Sequence, residues 1–116
     1  MDDRNPEMLR GTVELLILTT LRCGPRHGFG IARWLEATSD DELQLEEGSL
    51  YPALHRMETR GWLESEWGMS DRNRKVKLYR LTSRGRARLH SETAQWTLFA
   101  AAIGKVMQAA QAAQAV

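Results

Sequence analysis

The stretch Gly48–Gly61, GSLYPALHRMETRG, decides how the rest of the chain is read. Leu50, Leu54 and Met57 fall at i, i+4 and i+7, so they form one apolar stripe of a helix. Gly61 is the residue type that usually stands just past a helix end. The opposite face carries Pro52, His55, Arg56 and Thr59, with Ser49 and Tyr51 on the flanks. An ordinary solvated helix face is filled with Glu and Lys. A face with a proline, an aromatic hydroxyl, a histidine and an arginine is made to touch something. Pro52 fits a helix only in the first turn, where N–H groups have no internal acceptor, so the helix is expected to start near Gly48 or Ser49.

Working outward, GTVELLILTTLRCG (Gly11–Gly24) reads as a first helix, with Thr12 as its N-cap and Val13, Leu16, Ile17 and Leu21 inward. Gly24-Pro25 ends it. HGFGIARWLEATS (His27–Ser39) reads as a second helix with Ile31, Trp34 and Leu35 inward. Asp40-Asp41-Glu42 is a polar break, and Leu43–Leu45 alternates like a short strand. Beyond Gly61, WLESEW (Trp62–Trp67) and VKLYRL (Val76–Leu81) each alternate with period two, around a polar loop containing Gly68, Ser70, Asp71 and Asn73. That is a β-hairpin with a longer connection. From Ser83, a candidate N-cap, to Val116 the chain reads as one long helix. Trp96, Phe99, Ile103 and Met107 run along one side of it, continued by Ala110 and Gln114.

Helix, helix, helix, hairpin and long helix make a mainly α fold with a small β-wing. The expected architecture is a winged helix-turn-helix followed by a C-terminal dimerisation helix. The expected divisions are a flexible leader at 1–10, the winged domain at 11–82 and the dimerisation helix at 83–116.

The bulk composition agrees with one folded domain: 116 residues, 42% apolar and 27% charged. No apolar run is long enough to span a bilayer. The acidic MDDRNPEM start does not read as a secretory signal. The single cysteine, Cys23, excludes an internal disulfide and is compatible with a cytoplasmic protein. A net charge of +1 conceals an asymmetry. Residues 1–46 carry five Arg against nine acids, whereas residues 47–88 carry ten Lys or Arg against five acids. A polyanion feels that local excess rather than the total.

A helix that reads duplex DNA places short polar or flat side chains at its N-terminal end. Ser49 offers a hydroxyl, Tyr51 a hydroxyl and a ring, and Pro52 a surface with no donor to desolvate. His55 and Arg56 follow one turn later, within reach of a base edge or phosphate. The hairpin loop packs Arg72, Arg74, Lys75 and Lys77 together, the side chains a wing needs at a phosphate backbone or minor groove. Each feature alone has a bland reading: a helix entry fixed by Tyr51 and Pro52, and a loop charged for solubility. Their proximity in one fold favours DNA. Arg84, Arg86 and Arg88 spread around the last helix and read as solvated.

The long last helix has an apolar stripe and no later segment to cover it. Its start is expected to pack on the first helix. Its later part, through Trp96, Phe99, Ile103 and Met107, is expected to pair with a second copy, helped by the small Gly104. A homodimer would offer two reading helices to successive major grooves, about 34 Å apart.

GSLYPALHRME, preceded by ELQLE (Glu42–Glu46) and followed by TRGWLESEWG (Thr59–Gly68), resembles the PadR family of bacterial transcriptional regulators. So does GPRHGFGIA (Gly24–Ala32), where the family shows a Pro, a His-Gly and an aromatic. The resemblance runs from about Gly11 to beyond Trp96. It implies a winged-helix dimer that represses transcription, often of a neighbouring transporter or stress gene, from AT-rich inverted repeats. It also implies, for some members, release by a phenolic acid or a flat aromatic drug. The chain is similar to the short branch with one C-terminal helix. It departs at Phe29, where Tyr is usual, and at Gly30, where a bulkier residue is common.

Trp96 has two readings, a platform on which a small aromatic effector stacks or a core residue between the last helix and the first. Large apolar residues at helical spacing more often serve as core. Cys23, His27, His55 and His90 show no metal-ligand spacing, and no acid pair, nucleophile or glycine loop suggests catalysis or a cofactor. The alternative to a DNA-binding regulator is a winged-helix protein–protein interaction module, which would suit an acidic reading face or a wing without cations. The sequence has neither.

Overall fold

The third helix forms where its apolar spacing requires and ends in a defined motif. The computed structural model describes residues 6–115. Its elements run α1 (Pro6–Leu21), β1 (Arg26–His27), α2 (Gly28–Thr38), α3 (Glu47–Thr59), β2 (Leu63–Met69), β3 (Lys75–Leu81) and α4 (Ser83–Ala115). Helix α3 ends at Gly61, which takes φ +79°. Trp62 donates its N–H to the Met57 carbonyl and Gly61 donates to that of Glu58, both at 3.0 Å. This paired closure is the Schellman motif, and it needs a residue free to adopt positive φ.

Leu50, Ala53, Leu54 and Met57 of α3 are buried against Ile17, Leu18 and Leu21 of α1 and Ile31 and Leu35 of α2. Trp62, Leu63, Tyr79, Leu81 and Leu89 close the core from the sheet and α4. Burying each large aliphatic side chain stabilises the fold by about 1.5–3 kcal/mol, so this cluster fixes how α3 sits. The sheet is antiparallel with strand order β1-β3-β2, and β2 and β3 pair from Leu63↔Leu81 out to Met69↔Lys75.

The structure departs from the sequence reading at four places. α1 starts at Pro6, within the stretch read as leader, so Thr12 lies inside the helix and is not its cap. Met1–Asn5 lie outside the described residues. Leu43–Leu45 forms no strand; the third strand is Arg26–His27, which pairs with Leu78 and Tyr79. A two-residue strand leaves no periodic signal, because it is extended by its neighbour rather than by its own side chains. Pro52 lies in the second turn of α3, not the first, and so gives no N–H to the Gly48 carbonyl. Finally, Thr82 rather than Ser83 caps α4. Its hydroxyl accepts from the Gly85 N–H at 3.0 Å and donates to the Gly61 carbonyl at 2.6 Å. One side chain thereby ties the end of α3 to the start of α4.

α4 is 33 residues long, or about 50 Å at 1.5 Å per residue. Leu89 is buried on the domain, but from Thr93 to Gln114 every residue except Gly104 is exposed. The helix therefore extends far beyond the winged domain.

Candidate nucleic-acid interface

Ser49, Tyr51, Pro52, His55 and Thr59 are all exposed on α3. Two carboxylates, Glu46 at the N-cap and Glu47 in the first turn, open this helix. They repel phosphate there, so contacts from this end are better suited to base-edge donors. Tyr51 is 44% exposed and rests on the first turn of α2. A Cβ at Gly28 would lie 2.8 Å from the Tyr51 Cε1 and hydroxyl. Gly28 thus provides the space in which this tyrosine is held. Tyr51 also acts electrostatically on Tyr79, whose hydroxyl is pushed above the usual tyrosine range first by burial, then by Glu58 and Tyr51.

Arg56, grouped by the sequence with the reading face, is instead turned onto α1. Its Nε lies 3.4 Å from the Glu14 carboxylate, and Arg60 reaches the same oxygen at 3.8 Å. Glu14 is buried, and a buried carboxylate requires a cation. Arg56 answers that requirement and positions α3 against α1. The partner stands 42 residues away, beyond any local spacing rule.

The wing turns through Ser70–Arg74. Asn73 donates its N–H to the Ser70 carbonyl and Ser70 donates to that of Arg74, with Asn73 at φ +60°. This is a type I turn closed by a left-handed residue, a position asparagine tolerates. Arg72, Arg74, Lys75 and Lys77 are exposed around it. Among the described residues, no carboxylate lies at ion-pair distance from any of the four. Other cations of the basic segment are neutralised: Arg80 by Glu64 and Glu66, Arg88 by Glu92, and Arg56 and Arg60 by Glu14. The structure therefore sorts eight of the ten basic residues that composition could only count.

A groove of about 580 Å³ separates the wing tip from the start of α2, lined by His27, Phe29, Arg33, Arg72, Arg74 and Val76 among others. Arg33 lies over the Phe29 ring at 5.4 Å. His27 caps α2, its Nδ1 accepting the Gly30 N–H at 3.1 Å. Local spacing does not reveal that α2 and the wing share this cleft, because the contact depends on the β1–β3 pairing.

On α4, Phe99, Ile103 and Met107 are exposed, as are Leu98 and Val106, which lie off the stripe. Trp96 is 51% exposed, so it is not a core residue. With Phe99 it lines a groove of about 360 Å³ against Gly11, Thr12 and Leu15 of α1. No group of three metal-ligating side chains occurs among the described residues, and no helix there is long and apolar enough to cross a membrane.

Residues 17–91 match the transcriptional regulator PadR-like family. A solved PadR family transcriptional regulator from Eggerthella lenta is 34% identical, with a TM-score of 0.71 over 87% of this chain and 86% of that one. A transcriptional regulator from Clostridium thermocellum is 27% identical, with a TM-score of 0.76 over 85% and 96%. An uncharacterised protein from Lysinibacillus sphaericus is 28% identical over 78% of this chain and 83% of its own length. The winged fold, the PadR-like match across most of it and these neighbours agree: the chain belongs to the PadR-like family of DNA-binding transcriptional regulators.

Proposed function

We propose that the protein is a homodimeric repressor that binds an inverted-repeat operator. The observation that carries this reading is the proximity of two features. The outer face of α3 leaves Ser49, Tyr51, Pro52 and His55 in solvent, and the wing, whose strand β2 packs on α3, leaves Arg72, Arg74, Lys75 and Lys77 with no acidic partner among the described residues. The first set discriminates bases. The second neutralises phosphates whatever the sequence. Arg56 serves through Glu14 as a positioning residue.

The dimer rests on α4. Trp96, Phe99, Ile103 and Met107 are exposed along a helix too long for its own domain to cover. Pairing two such helices removes them from water and presents two α3 helices to successive major grooves, about 34 Å apart. A small aromatic effector has its best site at Trp96, where a half-exposed indole borders the groove against α1. No catalytic role is assigned to any residue, and the place of action is the cytoplasm, where the DNA is.

The test is binding of selected operator duplexes by fluorescence anisotropy. Tyr51→Ala is expected to cost about 1–3 kcal/mol on operator and little on scrambled DNA. Arg74→Ala is expected to weaken both alike and lower the salt slope by about one. Operator binding unchanged in Tyr51→Ala would refute the docking of α3.

A further inference from the structure

The register of the wing puts Leu63, Ser65, Trp67 and Met69 on one face of β2, opposite Leu81, Tyr79, Lys77 and Lys75 of β3. At its root this face is core: Leu63, Tyr79 and Leu81 are buried. One rung out, Ser65 donates its hydroxyl to Glu58 of α3 at 2.7 Å. Beyond that seam the apolar face continues uncovered, with Trp67 61% and Met69 59% exposed. The Lys75 ammonium stands 5.0 Å from the Trp67 ring centroid and that of Lys77 stands 5.9 Å away. The other face is of opposite character: Glu64 and Glu66 lie there, held by Arg80. The strands of the hairpin thus separate Glu64 and Glu66 from Lys75 and Lys77. Its apolar, cationic side is the side that meets α3.

We propose that Trp67 and Met69 are DNA-contact residues, forming an apolar ledge that lies against the sugar edges of the operator's minor groove. The proposal rests on the DNA-binding reading of α3 and the wing. The occupant follows from charge and position. Two lysines flank the indole with no carboxylate at ion-pair distance among the described residues, so a polyanion fits where an apolar protein surface would bury unpaired charge. Trp67 lies two residues, or about 7 Å, beyond the Ser65 seam with α3. Apolar side chains placed against a minor groove are a recurrent way of gripping DNA. In the free protein the lysines rest over the indole. On DNA they turn to the phosphates on either side and the ring is left against the sugars.

The experiment measures operator affinity by anisotropy across a salt series, with tryptophan emission as a second readout. Trp67→Ala is expected to bind roughly 10-fold more weakly with an unchanged salt slope, because it removes no charge. Lys75→Ala with Lys77→Ala is expected to flatten the slope by about two phosphates. Operator is expected to quench wild-type emission more than that of Trp67→Phe, a variant that keeps an aromatic ring and does not rely on the alanine protein folding. Wild-type affinity in Trp67→Ala and wild-type quenching in Trp67→Phe would overturn the proposal. If those two are unchanged while Tyr51→Ala and Arg74→Ala lose affinity, the ledge alone fails. If none of the variants changes binding, the DNA-binding reading fails with it. A change in oligomeric state in place of DNA affinity would assign the ledge to a second copy and also overturn it.

Discussion

Gly28→Ala tests the proposed reading role of Tyr51 apart from the stability of the fold. The added methyl carbon would stand 2.8 Å from the Cε1 and hydroxyl of Tyr51 and 3.0 Å from its Cζ. Carbon contacts settle at about 3.5–4.0 Å, so the ring must retreat by roughly 0.7–1.2 Å. It can, because Tyr51 is 44% exposed and the clash involves no backbone atom. The stability cost is therefore small. Alanine's better helix propensity, at most about 1 kcal/mol over glycine, offsets part of it. The thermal midpoint should move by only a few degrees. DNA binding should change more, because on the proposed docking of α3 a displaced ring loses part of the ~1–3 kcal/mol expected of Tyr51. The expected result is operator binding weakened roughly 5- to 30-fold, or about 1–2 kcal/mol. A double-mutant cycle measured by anisotropy gives the check. In a Tyr51→Ala background nothing is left to collide with, so Gly28→Ala should cost almost nothing and the coupling should be about 1–2 kcal/mol. Equal losses in both backgrounds would show that Gly28 acts on DNA by another route. No loss with an unchanged midpoint would show that the position of Tyr51 does not matter.

Three further expectations concern the frame. Gly85→Ala places a Cβ 2.0 Å from the Trp62 carbonyl oxygen, a backbone atom, so overpacking should cost at least about 1–3 kcal/mol and lower the thermal midpoint by several degrees; an unchanged midpoint refutes the close approach of α4. Ile103→Asp puts a charge in the middle of the exposed α4 stripe and should convert a dimer to a monomer in light scattering, with a normal midpoint for the winged domain; a wild-type mass would remove α4 from the interface. The Tyr79 hydroxyl ionises above its ordinary value of 10.0 because it is buried and faces Glu58. A pKa raised on folding means the folded state holds its proton longer than the unfolded chain. The stabilisation is present in full below pH 10.0 and is lost as pH rises through the folded value. Alkaline melting curves should therefore fall less steeply for Tyr79→Phe than for wild type.

The chain announces its third helix and its wing, and conceals what joins them. Leu50, Leu54 and Met57 are legible because burial imposes a helical period, and Gly61 because positive φ selects glycine. The wing strands are legible because one face is core at the root. Long-range partners leave no such trace. Glu14 pairs with Arg56 across the α1–α3 seam, a contact that local spacing cannot reveal. Gly28 and Gly85 stand in helices, where glycine looks merely costly until the Tyr51 ring and the Trp62 carbonyl are in place. Trp67 belongs to the period-two alternation of β2, and the alternation alone does not show that it lies beyond the point where the core ends. Pro52 misled by one turn, because a helix pinned by four buried residues tolerates the loss of one exposed hydrogen bond.

The proposed function comes down to sequence-specific binding by α3 with the wing as its phosphate clamp. Its most direct test is anisotropy of the protein on its own upstream intergenic duplex, titrated with scrambled competitor and repeated across a salt series. The expected result is tight binding that survives the competitor and weakens linearly in log salt, as a surface meeting several phosphates must. Binding that the scrambled competitor removes at modest salt, on that duplex and on duplexes selected from a random pool, would leave a basic surface without a reading helix and contradict the claim.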